Sequence, residues 1–543
     1  MDTYTDNVFD RTENGALTYS TSKKELVDQF SHAGTSMGRP IDTVFSEQDR
    51  LWNENQDDAL RFPFYLRLIT RKIKVSEKEK TESVQRGAGL RDEAFKRILW
   101  IAYNHEPVFK RNVWILPVVG SWKDLWTLMV LDIENENRID KTFIFSVMAS
   151  GLDDKCQCDL IRKYMPAIKS NIRCKTDRAK RLNSLAKKFA GFLGLSNKEY
   201  RHMKAAGKAH DFQKIICSRA YADIDWKTIP GRALSQLISG RFLDNHGLTE
   251  NYLNWVMAQP TVKFTGYVYE LGKKLNAMGK NVSILNTPSK AAALYTINKQ
   301  FDGLIELARQ DDGGIKGNVL CAIDTSGSMT CPISGQNDLT SYDVCVSLGI
   351  YFSELNEGFF HNIIAMFDTE SSIMKLNGTF AEKWNAIRTA KTAWGTTNVL
   401  SVIQMLLDLR KTHPEIPVKD YCNTILIVSD MQFDPTGRNK GERELTTYEA
   451  IKDMLRTEFP DEWVDDLKII WWYCASRDGA GHDVPATIDD PGMYLISGFD
   501  GSVVSLLLRT KVDEKTGKTK SLSMEESVQE ALSQEIFSFV RSN

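Results

Sequence analysis

The spacing of apolar positions changes character near residue 312. From about Glu47 to Gln310 apolar residues recur at the three- and four-residue intervals of amphipathic helices, separated by short polar breaks, and strand-like runs are scarce. Helices are predicted over Leu90–Tyr103, Trp122–Leu131, Ala179–Leu193, Leu234–Ser239, Tyr252–Met257, Gly266–Met278 and Ser289–Leu307. Stacked helical pairs in a solenoid are the expected architecture, although the spacing is too irregular to define a repeat. Residues 1–45 are polar and poorly patterned, so they read as an extended arm lying on the rest. After residue 312 the pattern turns to α/β. Residues 318–323 read as a short, fully buried strand, and an apolar-periodic helix follows over Tyr342–Leu355. The chain therefore divides into an arm (1–45), a helical domain (46–312) and an α/β domain (313–543).

Composition adds limits. At 543 residues the chain exceeds a single hydrophobic core. A formal net charge of −2 argues against a uniformly basic surface but conceals a lopsided distribution. Between Leu160 and Lys214 fifteen Lys or Arg face three acidic residues, Asp177, Glu199 and Asp211. That excess has the form a phosphate backbone selects. Within it Lys175, Arg178, Lys180, Arg181, Lys187 and Lys188 lie on or beside a helix whose apolar positions are Ala179, Leu182, Leu185, Ala186 and Phe189, and Arg201 and Lys204 follow. A solvated face that binds nothing is the plain alternative. Tyr200 and His202 have rings that can stack on bases, though single aromatics of this kind usually belong to the core. No run reaches the roughly 18 apolar residues of a membrane span, and the first residues lack the basic start and apolar core of a signal peptide, so a cytoplasmic protein is expected. Nine cysteines without a repeating spacing do not suggest a disulfide framework, and reduced thiols are expected. Cys156 and Cys158 lack the partners of a zinc site, and Cys321 and Cys474 read as small core residues.

The most informative chemistry follows the buried run. Asn318-Val-Leu-Cys-Ala-Ile-Asp-Thr-Ser-Gly-Ser-Met329 delivers Asp324, Ser326 and Ser328 into one tight loop turned by Gly327. Hard oxygen donors on alternating residues suit Mg²⁺, Mn²⁺ or Ca²⁺, and one carboxylate with two hydroxyls leaves coordination positions for water or a partner's carboxylate. Two more oxygen donors fall at later strand-to-loop junctions: Thr397 in Trp394-Gly-Thr-Thr-Asn398, and Asp430 ending Thr424-Ile-Leu-Ile-Val-Ser-Asp430. In an open parallel sheet, ligands gather at the carboxyl ends of strands. Read without a metal, both aspartates would be turn or helix-capping residues.

Enzyme signatures are not evident. The sequence has no Gly-x-x-x-x-Gly-Lys and no His-Glu-x-x-His, and its eight histidines are scattered. Arg86-Gly-Ala-Gly-Leu-Arg91 lacks the strand-turn-helix setting of a nucleotide loop.

The set Asp324-Thr-Ser-Gly-Ser328, Thr397 and Asp430 resembles the metal-ion-dependent adhesion site of von Willebrand factor type A domains. That resemblance implies a doubly wound, Rossmann-like sheet from about residue 316, a metal held by these five residues, and an open position that receives an acidic residue of a protein partner. Ser429-Asp-Met-Gln-Phe-Asp434 and Leu495-Ile-Ser-Gly-Phe-Asp500 are similar to a branch found beside Ro-type domains and labelled only as a domain of unknown function. Thr12-Glu-Asn-Gly-Ala-Leu-Thr-Tyr-Ser20, Arg86–Arg91, Gly120-Ser-Trp-Lys-Asp-Leu125 and Glu199-Tyr-Arg201 resemble the same branch. More distantly, they resemble the TROVE module of Ro autoantigen proteins, a ring of HEAT-like helical repeats. This likeness implies RNA binding, with single-stranded ends in a basic hole and structured RNA outside. The leading expectation is a non-enzymatic, Ro-like ribonucleoprotein component with a metal site for a protein partner. An assembly component, of a virus particle for example, that grips a partner carboxylate without RNA is the alternative, and a metal-dependent hydrolase stands last.

Overall fold

The computed structural model describes residues 9–35, 38–74, 82–170, 174–207, 211–239, 241–264, 266–279, 287–312, 318–333, 336–390, 394–474, 483–498, 510–512 and 519–542. The chain forms two compact units, one of Met1–Arg39 with Asp225–Ala531 and the other of Pro40–Ile224 with Leu532–Asn543.

The first unit opens with a hairpin, β1 (Phe9–Arg11) and β2 (Leu17–Tyr19), in antiparallel register from Phe9–Tyr19 to Arg11–Leu17. Gly15 turns it at a φ of 95°, a conformation open to glycine at little steric cost. Helix α1 (Glu25–His32) follows and buries Leu26, Val27 and Phe30. The stretch expected to be an extended arm thus carries regular structure of its own. Its sequence hides this because the hairpin is only three residues a side.

The second unit is helical. It contains α2 (Ile41–Glu54), α3 (Gln56–Arg67), α4 (Arg91–Asn104), α5 (Glu106–Asn112), α6 (Leu116–Val119), α7 (Lys123–Glu134), α8 (Lys141–Asp153), α9 (Cys158–Tyr164), α10 (Asp177–Phe192), α11 (Asn197–Ala205) and α12 (Asp211–Ser218). Consecutive members pack on one another, α2 with α3 and α4, α6 with α7, α8 with α9, and α10 with α7, α8 and α11. The aromatic core between α7, α8 and α10 joins Trp126, Phe145 and Phe189 at centroid distances of 5.2–6.3 Å. One hairpin interrupts the helices, β3 (Ile69–Lys74) with β4 (Glu82–Ala88). Its strand Ile69-Thr-Arg-Lys-Ile-Lys alternates but is mostly polar, which disguises it as a loop. The C-terminal segment joins this unit: the Gln534 amide donates to Arg86 O at 2.8 Å and accepts from Arg86 N at 2.6 Å. Buried charge is paired. Asp124 accepts Arg67 Nε at 2.9 Å, Ser121 N at 2.8 Å and an ion pair from Arg91 at 3.3 Å.

The first unit continues with α13 (Gly231–Ser239), α14 (Phe242–Asn245), α15 (Thr249–Ala258), α16 (Val268–Met278) and α17 (Pro288–Asp312), then enters the sheet. In chain order its later elements are β5 (Val319–Asp324), the hairpin β6 (Pro332–Ile333) and β7 (Gln336–Thr340), α18 (Ser341–Leu355), β8 (Ile363–Phe367), β9 (Ser371–Lys375), α19 (Phe380–Thr389), α20 (Leu400–Thr412), β10 (Thr424–Ser429), the hairpin β11 (Asn439–Lys440) and β12 (Arg443–Glu444), α21 (Thr447–Leu455), α22 (Asp461–Asp466), β13 (Lys468–Tyr473) and β14 (Met493–Ser497). Six strands form one sheet in the order β14-β13-β10-β5-β8-β9. All neighbours are parallel except the edge pair β8–β9. The sheet grows outward in both directions from β5, so the chain reverses its direction of travel between β5 and β10. Both of those strands are buried at every residue, which accounts for their unbroken apolar runs.

Helix α18 lies on β5, β8 and β10. It begins with a capping box in which Thr340 and Asp343 exchange side-chain-to-backbone bonds. It approaches the sheet closely at Gly349, where an added Cβ would stand 2.7 Å from Ile323 Cγ2. The helices before the sheet pack into this unit: α16 lies on α18 and α17, and Gly272 of α16 meets the indole of Trp384, 2.4 Å from an added Cβ. Among the described residues no helix is long and apolar enough to cross a membrane.

Candidate metal centre

The site forms where β5 and β10 end side by side. Register pairs Val428 with Ile323, so the next residues, Ser429 and Asp324, stand level, and Ser429 Oγ donates to Asp324 Oδ2 at 2.5 Å. Asp324 Oδ1 accepts the backbone N–H of Ser326 at 2.8 Å, which bends the loop back over the strand end. Ser326 Oγ and Ser328 Oγ are 3.1 Å apart. Asp324, Ser326, Thr397 and Asp430 are buried and Ser328 is half-buried.

Thr397 arrives on a third loop wedged between the other two. On one side Gly327 N donates to Gly395 O at 3.3 Å; on the other, Asp434 N donates to Thr397 O at 3.1 Å. The neighbouring strand secures this loop. Asn398 N donates to Asp368 O at 2.9 Å and Thr396 N to Thr369 Oγ1 at 3.2 Å, while an added Cβ at Gly395 would collide with that hydroxyl. The three segments carrying the five expected ligands therefore meet at one edge of the sheet, at the crevice where strand order reverses. Such crevices are where open α/β sheets bind ligands.

Electrostatics mark the spot as costly. The Asp324 carboxyl is pushed well above the ordinary carboxylate range, first by complete burial and second by the charge of Asp430; hydrogen bonds from Ser326 and Ser429 oppose the shift. The groups beneath are thiols. Cys345 Sγ points to Val428 O at 3.2 Å and Cys474 Sγ to Ser429 O at 3.4 Å, and burial raises both thiols above their ordinary range. Neutral thiols supply no cation to balance the carboxylates. Among the described residues no group of three or more His, Cys, Asp or Glu side chains gathers for metal binding. A cation here would rest on two carboxylates and three hydroxyls, an all-oxygen set that suits Mg²⁺, Mn²⁺ or Ca²⁺ and offers nothing to softer metals.

Sequence reasoning missed two parts of this arrangement. Ser429 read only as the last strand residue, yet its hydroxyl donates directly to Asp324. The N-terminal hairpin also reaches the site, gripping the loop after Asp430. Thr12 Oγ1 donates to Phe433 O at 2.7 Å, Glu13 N to Gln432 Oε1 at 2.6 Å, and Asn14 Nδ2 to Gln432 O at 2.6 Å. Gln432 in turn donates to Asp483 at 2.5 Å. Asp483 is raised to about 6 by burial, with Asp10, Glu13 and Asp430 adding to the shift.

The basic residues of the helical unit fall into two groups. Arg181 is held by Glu134 at 2.7 Å, Lys180 by Asp177 at 2.9 Å, Arg201 by Ile168 O at 3.2 Å, and Lys204 by Lys163 O at 3.3 Å. Lys175, Arg178, Lys187 and Lys188 are exposed, Arg178 within 3.4 Å of Thr127 Oγ1. Leu185, Ala186 and Phe189 are buried as expected, and Ala179 and Leu182 are half-buried. Tyr200 is not available to a base: it is fully buried and its hydroxyl donates to Pro166 O at 3.0 Å. All nine cysteines are free thiols.

Residues 318–538 match a family model described as a domain of unknown function (DUF7788). The matched stretch holds all five expected metal ligands and the whole six-stranded sheet, and it leaves the helical second unit's residues 40–224 outside. It agrees with the likeness of Ser429–Asp434 and Leu495–Asp500 to a branch of that label; Phe499 and Asp500 lie outside the described residues. No curated protein matches the chain.

Proposed function

We propose that the chain is a divalent-cation-dependent binding protein whose α/β portion is a von Willebrand A-like domain, with Asp324, Ser326, Ser328, Thr397 and Asp430 holding Mg²⁺, Mn²⁺ or Ca²⁺ and a protein partner supplying a carboxylate. One observation carries this reading. Two buried carboxylates from separate strands share one edge with three hydroxyls, and Asp324 is penalised there by both burial and its neighbour. A bound cation would neutralise that repulsion and present positive charge to an incoming acid. The strand order, with an antiparallel strand at one edge only, supports the doubly wound likeness.

Titration with Mn²⁺ followed by electron paramagnetic resonance tests the site. Wild type should immobilise one Mn²⁺, and Asp324→Ala and Asp430→Ala should each abolish it. Binding that survives in both variants would sink the assignment.

RNA binding in the manner of a TROVE-like, HEAT-like solenoid is a second reading. It is favoured by Lys175, Arg178, Lys187 and Lys188, which project from or beside α10 while its apolar face is buried. The internal partners of Lys180, Arg181, Arg201 and Lys204 weaken it. Together the two readings describe a Ro-like component that does not act as an enzyme.

A further inference from the structure

Beside the five oxygen donors stands a residue that breaks two local rules at once. Trp394 begins the loop that carries Thr397. It adopts a φ of 52°, a left-handed conformation unfavourable for a bulky side chain, and its ring is 46 % exposed. Glycine or asparagine would hold that backbone with less strain, and neither would leave a large apolar surface in water. The position is fixed, though. The adjoining Gly395 carbonyl accepts from Gly327, and Trp394 O lies 3.2 Å from where a Gly327 Cβ would be. The indole leans on buried Tyr342 at a centroid distance of 5.3 Å. Behind it Arg388 pairs with Asp343 at 2.9 Å and reaches 5.7 Å from the Tyr342 ring. A rigid support thus presents one half-open tryptophan face at the rim of the candidate cation site.

We propose that Trp394 is the specificity-determining residue of that site, packing against a large apolar side chain that lies next to the acidic residue of a protein partner. This rests on the cation reading above and narrows it to one class of ligand, an acidic residue flanked by an apolar one. Charge selects a peptide over a nucleic acid. Among the described residues the charged groups around the loops include the carboxylates Asp324, Asp430, Asp434, Asp483, Asp10 and Glu13, and the nearby Arg388 is tied to Asp343. A phosphate backbone would bring several negative charges against these carboxylates, whereas a single carboxylate in an apolar surround brings one, at the cation itself. Tryptophan is among the residues most enriched at the binding hot spots of protein interfaces.

The test uses the full chain and a displayed peptide library in which one fixed Asp is flanked by random positions, with Mg²⁺ or chelator present. Wild type should select peptides with a large apolar or aromatic residue close to the Asp, in Mg²⁺ only. Trp394→Asn, which suits the backbone, should melt no lower than wild type, bind the selected peptides about tenfold or more weakly, and lose the apolar preference while keeping the need for Mg²⁺. A drop in the melting temperature of Trp394→Asn would mark a structural tryptophan and overturn the proposal. So would selection of Asp without an apolar neighbour, or displacement of the peptides by a single-stranded oligonucleotide. Mn²⁺ binding without peptide selection would overturn this inference alone; absence of Mn²⁺ binding would remove the cation reading beneath it.

Discussion

Replacing Asp324 with asparagine should stabilise the metal-free protein, the opposite of what loss of a buried ion usually does. In the folded chain the Asp324 carboxyl is raised from 3.8 to about 7, which corresponds to at most about 4 kcal/mol against the charged form. An acid whose folded pKa lies above its unfolded value binds its proton more tightly when folded. It therefore favours the fold at low pH, and that contribution disappears as pH rises from about 4 to about 7. Asparagine keeps an acceptor for Ser326 N and turns the Ser429 contact into one where its amide donates. Losing the charge-assisted character of those two bonds costs about 1–2 kcal/mol. The net gain in chelator at pH 8 is about 2 kcal/mol, or about 3–6 °C in melting temperature.

The measurement is a set of thermal melts of wild type and Asp324→Asn at pH 5 and pH 8, in chelator and in Mg²⁺. In chelator the variant should melt higher at pH 8, with the gap closing at pH 5 as wild type takes up its proton. Asp28 and Asp483, both raised to about 6 chiefly by burial, titrate in the two proteins alike and cancel in the difference. Mg²⁺ should raise the wild-type melting temperature at pH 8 and leave the variant unmoved. The reasoning is refuted by a variant that melts at or below wild type in chelator at pH 8, by a gap that does not depend on pH, or by a variant that still responds to Mg²⁺.

Asn14→Ala removes the hydrogen bond to Gln432 O, so it should lower the melting temperature by about 1–3 °C and weaken Mn²⁺ affinity by loosening the loop after Asp430; unchanged affinity would separate the hairpin from the site. Gly272→Ala pushes a methyl into Trp384 and should destabilise the first unit by about 1–3 kcal/mol in denaturant melts. Asp124→Leu strands the Arg67 guanidinium among buried groups and should cost about 3–5 kcal/mol, seen as a lower denaturation midpoint. For RNA, Lys175, Lys187 and Lys188 replaced together by Glu should reduce filter retention and flatten its salt dependence by about two phosphates' worth, whereas Arg181→Ala should change stability more than retention.

What the sequence revealed, and what it hid, follows from how each feature is held. Asp324 was legible because the apolar run Val319–Ile323 of a fully buried strand ends on it and two serines follow at alternating positions. Helices α7, α10, α15, α16 and α17 were legible because their apolar positions recur at helical spacing, and α4 and α18, which are buried nearly all round, because their apolar runs are too long for a strand. Strands β8 and β9 were not singled out. The edge strand Ser371–Lys375 is largely exposed and carries few apolar residues, so alternation fades. Ser429 looked like any strand residue, because its role depends on the register between β5 and β10, which no local pattern encodes. The basic stretch misled in part. Its net charge was real, but whether Arg181 is free depends on Glu134, 47 residues away, and spacing within one helix cannot report that. Tyr200 shows the same limit in reverse, since a single aromatic gives no sign of which face it lies on until Trp126, Phe145 and Phe189 form the cluster it joins.

Backbone strain has an uneven distribution that bears on function. Among the described residues six non-glycine positions have positive φ: Lys23, Asn137, Arg219, Asn362, Trp394 and Met431. Asparagine tolerates this conformation, and Lys23 and Arg219 are long chains free to extend from it. Trp394 and Met431 are the two bulky apolar members, and they flank the candidate ligands, one three residues before Thr397 and the other directly after Asp430. Backbone strain of about 1–3 kcal/mol at each is added to a buried carboxylate that burial and Asp430 disfavour. A sequence selected for stability alone would place Gly or Asn at 394 and an uncharged residue at 324, each a small change that the fold would accept. Three independent costs meeting on one sheet edge require a common compensation. A cation accounts for the carboxylates, and a partner packed on the loops accounts for the tryptophan. The same loops without either should be the first part of the first unit to open, and amide exchange at 394–398 and 430–434 should slow on adding Mg²⁺ while the core strands β5 and β10 stay protected throughout. Uniform exchange in these loops with and without Mg²⁺ would break the link between strain and site.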